Sequence, residues 1–154
     1  MGVFRLTRAV ALPADEVWPR VTDWRAHAAR VPLTTVSSAT ASNGVGTRFV
    51  VRSGLGRIGF DDPMEVVRWV PPGTGTAGHC RLEKRGRVIR GWAMIEVRPE
   101  GRGTVVVWDE EVRIRLVPRL LDPLVARVGR LVFGRALDAL LTEATVKTKA
   151  TEDN

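Results

Sequence analysis

The chain has 154 residues, enough for one domain, and at this length folding removes about 68–70% of the unfolded surface from water. Hydrophobic residues make up 44% and charged residues 27%, the balance of a soluble globular protein with a sizeable core. A net charge of +7 raises nucleic acid as a partner, but 24 − 3 = 21 of the basic residues are arginines, and they are scattered rather than clustered. That pattern fits coding bias in a GC-rich bacterial genome, and no nucleic-acid partner is expected.

The single cysteine, Cys80, excludes an internal disulfide and suits a reducing cytosol. The opening stretch has no apolar run of signal-peptide length, and Leu6 breaks the myristoylation pattern. No stretch approaches the ~20 apolar residues of a membrane span. A cytoplasmic protein without stable membrane insertion is expected.

In chain order, residues 2–12 alternate and predict a first strand. Pro13 opens a helix, with Asp15 and Glu16 at its positive end and Val17, Trp18 and Val21 on one face. Asp23 caps a second short helix, Trp24 to Arg30, which stops before Pro32. Strands follow at Leu33–Ala41, Thr47–Arg52 and Phe60–Val70, the last interrupted by Pro63, which predicts a bulge or an edge. His79–Lys84 and Arg87–Arg98 form a hairpin around Arg85-Gly86, and the EGRG turn leads into the strand TVVVWDEEVRIRL, residues 104–116. Residues 118–149 carry helical periodicity, and the tail at 147–154 is expected to fray.

One long amphipathic helix and a curved antiparallel sheet bury their apolar faces best when the sheet wraps the helix and the short helices close one end. The stretches VALPADEVWPRVTDWRAHAARVP, the glycine turn before TRF, EVVRWVPP, GTVVVWDEEV and ALDALL resemble the SRPBCC superfamily. It is also called START-like or Bet v 1-like, and the closest likeness is to its bacterial polyketide cyclase/dehydrase-like branch. The resemblance covers nearly the whole chain. It implies a single α+β helix-grip domain over 1–154, with a seven-stranded antiparallel sheet around a C-terminal helix. It also implies a cavity between the two. Members of the superfamily include lipid and sterol carriers, plant hormone receptors and aromatase/cyclases.

The last strand contains three consecutive acids. Val106, Trp108, Glu110, Val112, Ile114 and Leu116 share one face; Asp109, Glu111, Arg113 and Arg115 lie on the other. Glu110 is therefore the acid that points inward. A hairpin closed at EGRG pairs Val97 with Thr104, Ile95 with Val106, Ala93 with Trp108 and Gly91 with Glu110, and sets Arg90 against Glu111. The same parity extends to Leu82, Cys80 and Gly78. A buried carboxylate costs several kcal/mol unless paired. Glu110 is thus protonated, paired with a buried cation, or at a water-filled cavity. Arg135, near the edge of the stripe Leu121, Val125, Val128 and Val132, is one candidate cation, reachable if the helix bends at Gly129 and Gly134. Arg48 is another. A second stripe runs through Phe133, Ala136, Leu137, Leu140 and Ala144.

Other signals carry less. His27 and His79 with Cys80 make no metal-ligand spacing. His79 is expected outward, opposite Trp92, and His27 solvated on its helix near the mouth. NGVGT and SGLGR are hairpin turns rather than phosphate loops. Asp61 and Asp62 are expected as turn or edge charges. The arginine-spaced final helix resembles a membrane-surface helix, but its apolar face is needed by the sheet.

The expected function is binding of a hydrophobic or amphipathic small molecule of lipid, polyketide or isoprenoid kind. The expected lining is Phe49, Met64, Ala93, Ile95, Trp108, Glu110, Val128 and Val132, with Arg135 a further candidate. A cyclase/dehydratase-type enzyme with Glu110 as general acid/base is the alternative. A regulatory module with a filled cavity is the third possibility. No cofactor or metal is implied, and a monomer and a homodimer are both compatible.

Overall fold

In a computed structural model the strands form one curled antiparallel sheet that holds a long helix against its concave face. Residues 2–40 and 43–152 are described, without the side chains of residues 38–39 and 143–152. The elements are β1 (Gly2–Val10), α1 (Ala14–Val21), α2 (Trp24–Arg30), β2 (Thr34–Ala39), β3 (Arg48–Leu55), β4 (Ile58–Val70), β5 (Gly78–Arg85), β6 (Ile89–Glu100) and β7 (Gly103–Ile114). A short turn of 3-10 helix, Arg119–Leu121, then leads into α3 (Asp122–Glu152). Among the described residues the sheet has seven strands in the order β1-β7-β6-β5-β4-β3-β2. The helix-grip architecture expected from the sequence is the one observed. The expected strand end at Ala41, the Ala144 side chain and the side chains of the expected frayed tail, 147–154, lie outside the described residues.

Local chemistry explains the short helices. Pro13 precedes α1 in an extended conformation, Asp15 and Glu16 occupy its first turn, and Arg20 its last. Val17, Trp18 and Val21 are buried. Pro19 is the sixth residue of α1, so its missing N–H leaves the Asp15 carbonyl without its intrahelical donor. At α2 the Asp23 side chain accepts from the Ala26 amide at 3.0 Å, a side-chain N-cap.

The hairpin between β6 and β7 is centred one residue later than the expected pairing implies. Glu100 pairs with Gly103 around Gly101-Arg102, with Gly101 at φ 61. Every partner moves by two positions: Val97 faces Val106, Ile95 faces Trp108, Ala93 faces Glu110 and Gly91 faces Val112. A two-residue shift preserves parity, so the faces stand as expected although the pairs do not. Arg90 faces Arg113 instead of Glu111, and Trp92 Nε1 donates to Glu111 Oε2 at 3.0 Å. His79 faces Glu96 rather than Trp92. Pro63 makes no bulge in the pairing with β3 and does not lie on an edge strand. It faces Val50 within a continuous strand, and the register to β5 shifts instead between Val66 and Arg68.

Along β7 buried and partly exposed residues alternate without a break from Thr104 to Val112. On the outer face Arg5 grips Asp109 through two hydrogen bonds of 2.6 and 2.9 Å. Gly129 of α3 serves a close approach. A Cβ on Gly129 would come within 2.7 Å of the Phe4 ring on β1. Ala136, Leu137, Leu140 and Leu141 are buried in the later part of the helix, whereas Leu121, Leu124, Val128 and Leu131 of the 3-10 turn and first half stay about half exposed. The earlier half packs against β1 on one side and leaves a cavity between its other side and strands β3 to β7.

Candidate functional site

The cavity lies between the concave face of the sheet and the first half of α3, with α2 at one end, and has a volume of about 500 Å³. Phe49 and Val51 of β3, Met64 of β4, Leu82 of β5, Ala93 of β6 and Trp108 of β7 form its floor. Leu124, Val125, Val128, Val132 and Phe133 form the roof, and Trp24 and His27 the α2 end. These walls are apolar because alternate residues of each strand and one helical stripe point inward.

Into this apolar space project three ionisable side chains from three strands. Glu110 is 1% exposed, Asp62 3% and Lys84 8%. Lys84 Nζ donates to Glu110 Oε1, and Trp108 Nε1 donates to Glu110 Oε2 at 2.9 Å, so each carboxylate oxygen has a donor. β6 lies between Lys84 and Glu110, and the positions facing them there are Gly91 and Ala93. A long side chain at either would obstruct the pair. Lys84 Nζ also lies 5.6 Å from the centroid of the Phe133 ring. An isolated ion here would cost several kcal/mol; the pairing offsets that cost.

The cation is therefore Lys84, not Arg135 or Arg48. Arg135 is exposed on α3 and does not line the cavity. Arg48 points outward, with its side chain 72% exposed and 3.6 Å from Glu65. Lys84 shares its parity with Leu82, Cys80 and Gly78, so the alternation that identified those residues extends to it.

Asp62 is a second departure from expectation. The neighbouring Asp61 is exposed and 3.0 Å from Arg52, but Asp62 points inward beside the β5–β6 turn. A Cβ on Gly86 would come within 2.8 Å of its Oδ1, and Oδ1 has no hydrogen-bond partner. Burial pushes the Asp62 carboxyl up to about 6; Lys84 moderates the shift and Glu110 adds to it.

His27 is buried rather than solvated. Its ring sits 4.9 Å from Trp108 and 6.2 Å from Trp24. Nε2 lies 2.8 Å from the Val21 carbonyl, which can only accept, so Nε2 carries the proton. Burial lowers the imidazole to about 4, and the neutral ring presents Nδ1 as an unpartnered acceptor. The Trp24 Nε1 donor is likewise unpartnered.

Of the residues expected to line the cavity, Phe49, Met64, Ala93, Trp108, Glu110, Val128 and Val132 do so. Ile95 is fully buried in the solid core and is not part of the lining. Lys84, Asp62 and His27 are the ionisable lining residues outside that expected set, His27 having been expected near the mouth but solvated. Among the described residues no group of His, Cys, Asp and Glu could hold a metal ion, and no helix is long and apolar enough to cross a membrane.

No curated protein sequence matches the chain. Solved structures match it over nearly its full length at low identity. The STAR-related lipid transfer protein from Xanthomonas axonopodis is 15% identical with a TM-score of 0.68, covering 93% of this chain and 85% of that one. The Zhui aromatase/cyclase from a Streptomyces species is 17% identical with a TM-score of 0.65, covering 97% and 96%. A START superfamily protein from Mycobacterium smegmatis is 16% identical with a TM-score of 0.65, covering 92% and 97%. These likenesses concern the fold. The family model described as polyketide cyclase / dehydrase and lipid transport matches residues 1–145, and with the helix grip observed here, the chain belongs to that family within the SRPBCC superfamily.

Proposed function

We propose that the protein binds a hydrophobic or amphipathic small molecule, of lipid, polyketide or isoprenoid kind, in the cavity under α3. The carrying observation is an apolar space of about 500 Å³ with a small cluster of buried polar groups on one wall. That volume is within the range of small-molecule sites, and the mix of apolar wall and few polar groups is their usual make-up. The family description, which includes lipid transport, supports the same reading. Phe49, Met64, Ala93, Trp108, Val128 and Val132 are the proposed apolar contacts, with Glu110 in the polar cluster. A module filled by its own side chains fits poorly with a space of this size. The single cysteine is buried and free, which suits a cytoplasmic protein.

A second reading is a cyclase/dehydratase-type enzyme. The observation in its favour is that two acids, a lysine and a neutral histidine share one apolar cavity. Glu110 has both oxygens engaged, so Asp62 is the freer acid or base. Turnover lost with binding retained in Asp62→Asn would favour the enzyme over the carrier.

Mass spectrometry of the purified protein, native and after organic extraction, tests the binding reading. The expected result is a small molecule present in stoichiometric amount with intact protein and released by solvent. A protein that carries nothing, and takes up no amphiphile when offered one, is not a binder.

A further inference from the structure

The apolar walls do not distinguish one amphiphile from another; the polar groups left without partners do. Lys84 and Trp108 each donate to one oxygen of Glu110, which leaves that carboxylate little capacity for a guest. Asp62 is different. It is buried at 3% exposure, lines the cavity, and its Oδ1 has no partner. Lys84 is committed to Glu110, so no described side chain supplies Asp62 with a counter-ion of its own. His27 Nδ1 is a second acceptor without a donor, as its tautomer requires. Against these two acceptors stands one unpartnered donor, Trp24 Nε1.

The charge balance points the same way. The cavity lining contains two acids and one lysine and no arginine, although the chain as a whole carries +7. The space inside a basic protein is thus locally acidic. Resting on the binding reading above, we propose that Asp62 selects the ligand's polar end: the cavity takes an amphiphile whose head donates hydrogen bonds, an amine or a hydroxyl, and disfavours one that ends in a carboxylate. An ammonium head gains an ion pair and a hydrogen bond with the Asp62 carboxylate, and a hydroxyl gains the hydrogen bond without the ion pair. A carboxylate head would be a further acid beside Asp62 and Glu110, and it could be paired only by drawing Lys84 away from Glu110.

Three ten-carbon probes test this: decylamine, decanol and decanoate, titrated calorimetrically below micelle-forming concentrations. The expected result is decylamine bound at least about tenfold more tightly than decanoate, with decanol between them. In Asp62→Asn, confirmed as folded by circular dichroism, the gap between amine and carboxylate is expected to shrink to about threefold or less. Equal binding of all three probes by the unaltered protein, or tightest binding of decanoate, overturns the head-group proposal and leaves ligand binding intact. An undiminished gap in folded Asp62→Asn overturns the role of Asp62. If none of the three binds, the binding reading itself fails and this one with it. Should Asp62→Asn not fold, the ranking in the unaltered protein decides.

Discussion

Lys84 on β5 reaches Glu110 on β7, two strands away, above the small residues Gly91 and Ala93 of the strand between them. Such a pair costs more to break than to replace. Lys84→Met leaves Glu110 buried without its cation and is expected to lower unfolding stability by about 3–5 kcal/mol. Lys84→Met combined with Glu110→Leu is expected to recover most of that loss. Urea unfolding of the two single variants and the double variant measures the coupling. Additive losses would mean that the pair contributes nothing as a pair.

Asp62 and His27 are expected to give opposite pH dependences. Asp62 rises from an ordinary 3.8 to about 6 in the folded chain, so its contribution to stability is full below pH 4 and lost as pH rises through 6. His27 falls from 6.5 to about 4, so its contribution is full above pH 6.5 and lost as pH falls through 4. Each amounts to up to about 3 kcal/mol, and between pH 4 and 6 the two largely cancel. Asp62→Asn is expected to be about 1–3 kcal/mol more stable at neutral pH and to gain a steep loss in acid. His27→Gln is expected to show the reverse slope. Denaturant midpoints measured across this pH range give the sign directly.

Gly91 and Gly101 make a matched pair of glycine tests. Gly91 has φ 138, and a Cβ there would stand 1.9 Å from the Glu111 carbonyl oxygen. Gly101 has φ 61 with nothing near. Gly101→Ala is expected to cost about 1 kcal/mol from its left-handed backbone. Gly91→Ala must also move β7, and is expected to cost about 3 kcal/mol or more. It should also disturb the Lys84–Glu110 pair. Thermal unfolding ranks the two, and equal costs would refute the close-packing argument.

Ala93 is on the cavity floor. Ala93→Leu puts a larger side chain into the cavity and across the Lys84–Glu110 pair. It is expected to lose about 1–3 kcal/mol of stability, and any bound small molecule disappears from the native mass spectrum. Unchanged occupancy would place the ligand elsewhere.

How much of this was legible in the sequence follows from what each signal measures. The inward turn of Glu110 was readable because β7 alternates without a bulge, and parity survives any even shift of register. The pairing itself was not, because moving the hairpin centre by one residue, from Glu100-Gly101 to Gly101-Arg102, shifts every partner by two and leaves the faces the same. Lys84 was missed although its parity placed it inward, because a lone lysine beside Glu83 and Arg85 has the composition of a solvated strand end. Asp62 sits in an Asp-Asp-Pro sequence that suggests a turn, and only the unbroken course of β4 past Pro63 carries it inside. His27 faces the cavity because α2 packs over its end, a tertiary contact with no local trace.

The order of the sheet also governs when it can form. β2 through β7 pair with their immediate successors in sequence, so that meander can assemble hairpin by hairpin during synthesis. β1 cannot: its partner is β7, and the Arg5–Asp109 pair spans 104 residues. At about 5–20 residues per second the first strand waits roughly 5–20 s for its neighbour. The half of α3 that roofs the cavity emerges later still. The space under α3 is therefore among the last parts of the molecule to come into being, after nearly every residue of its floor is already in place.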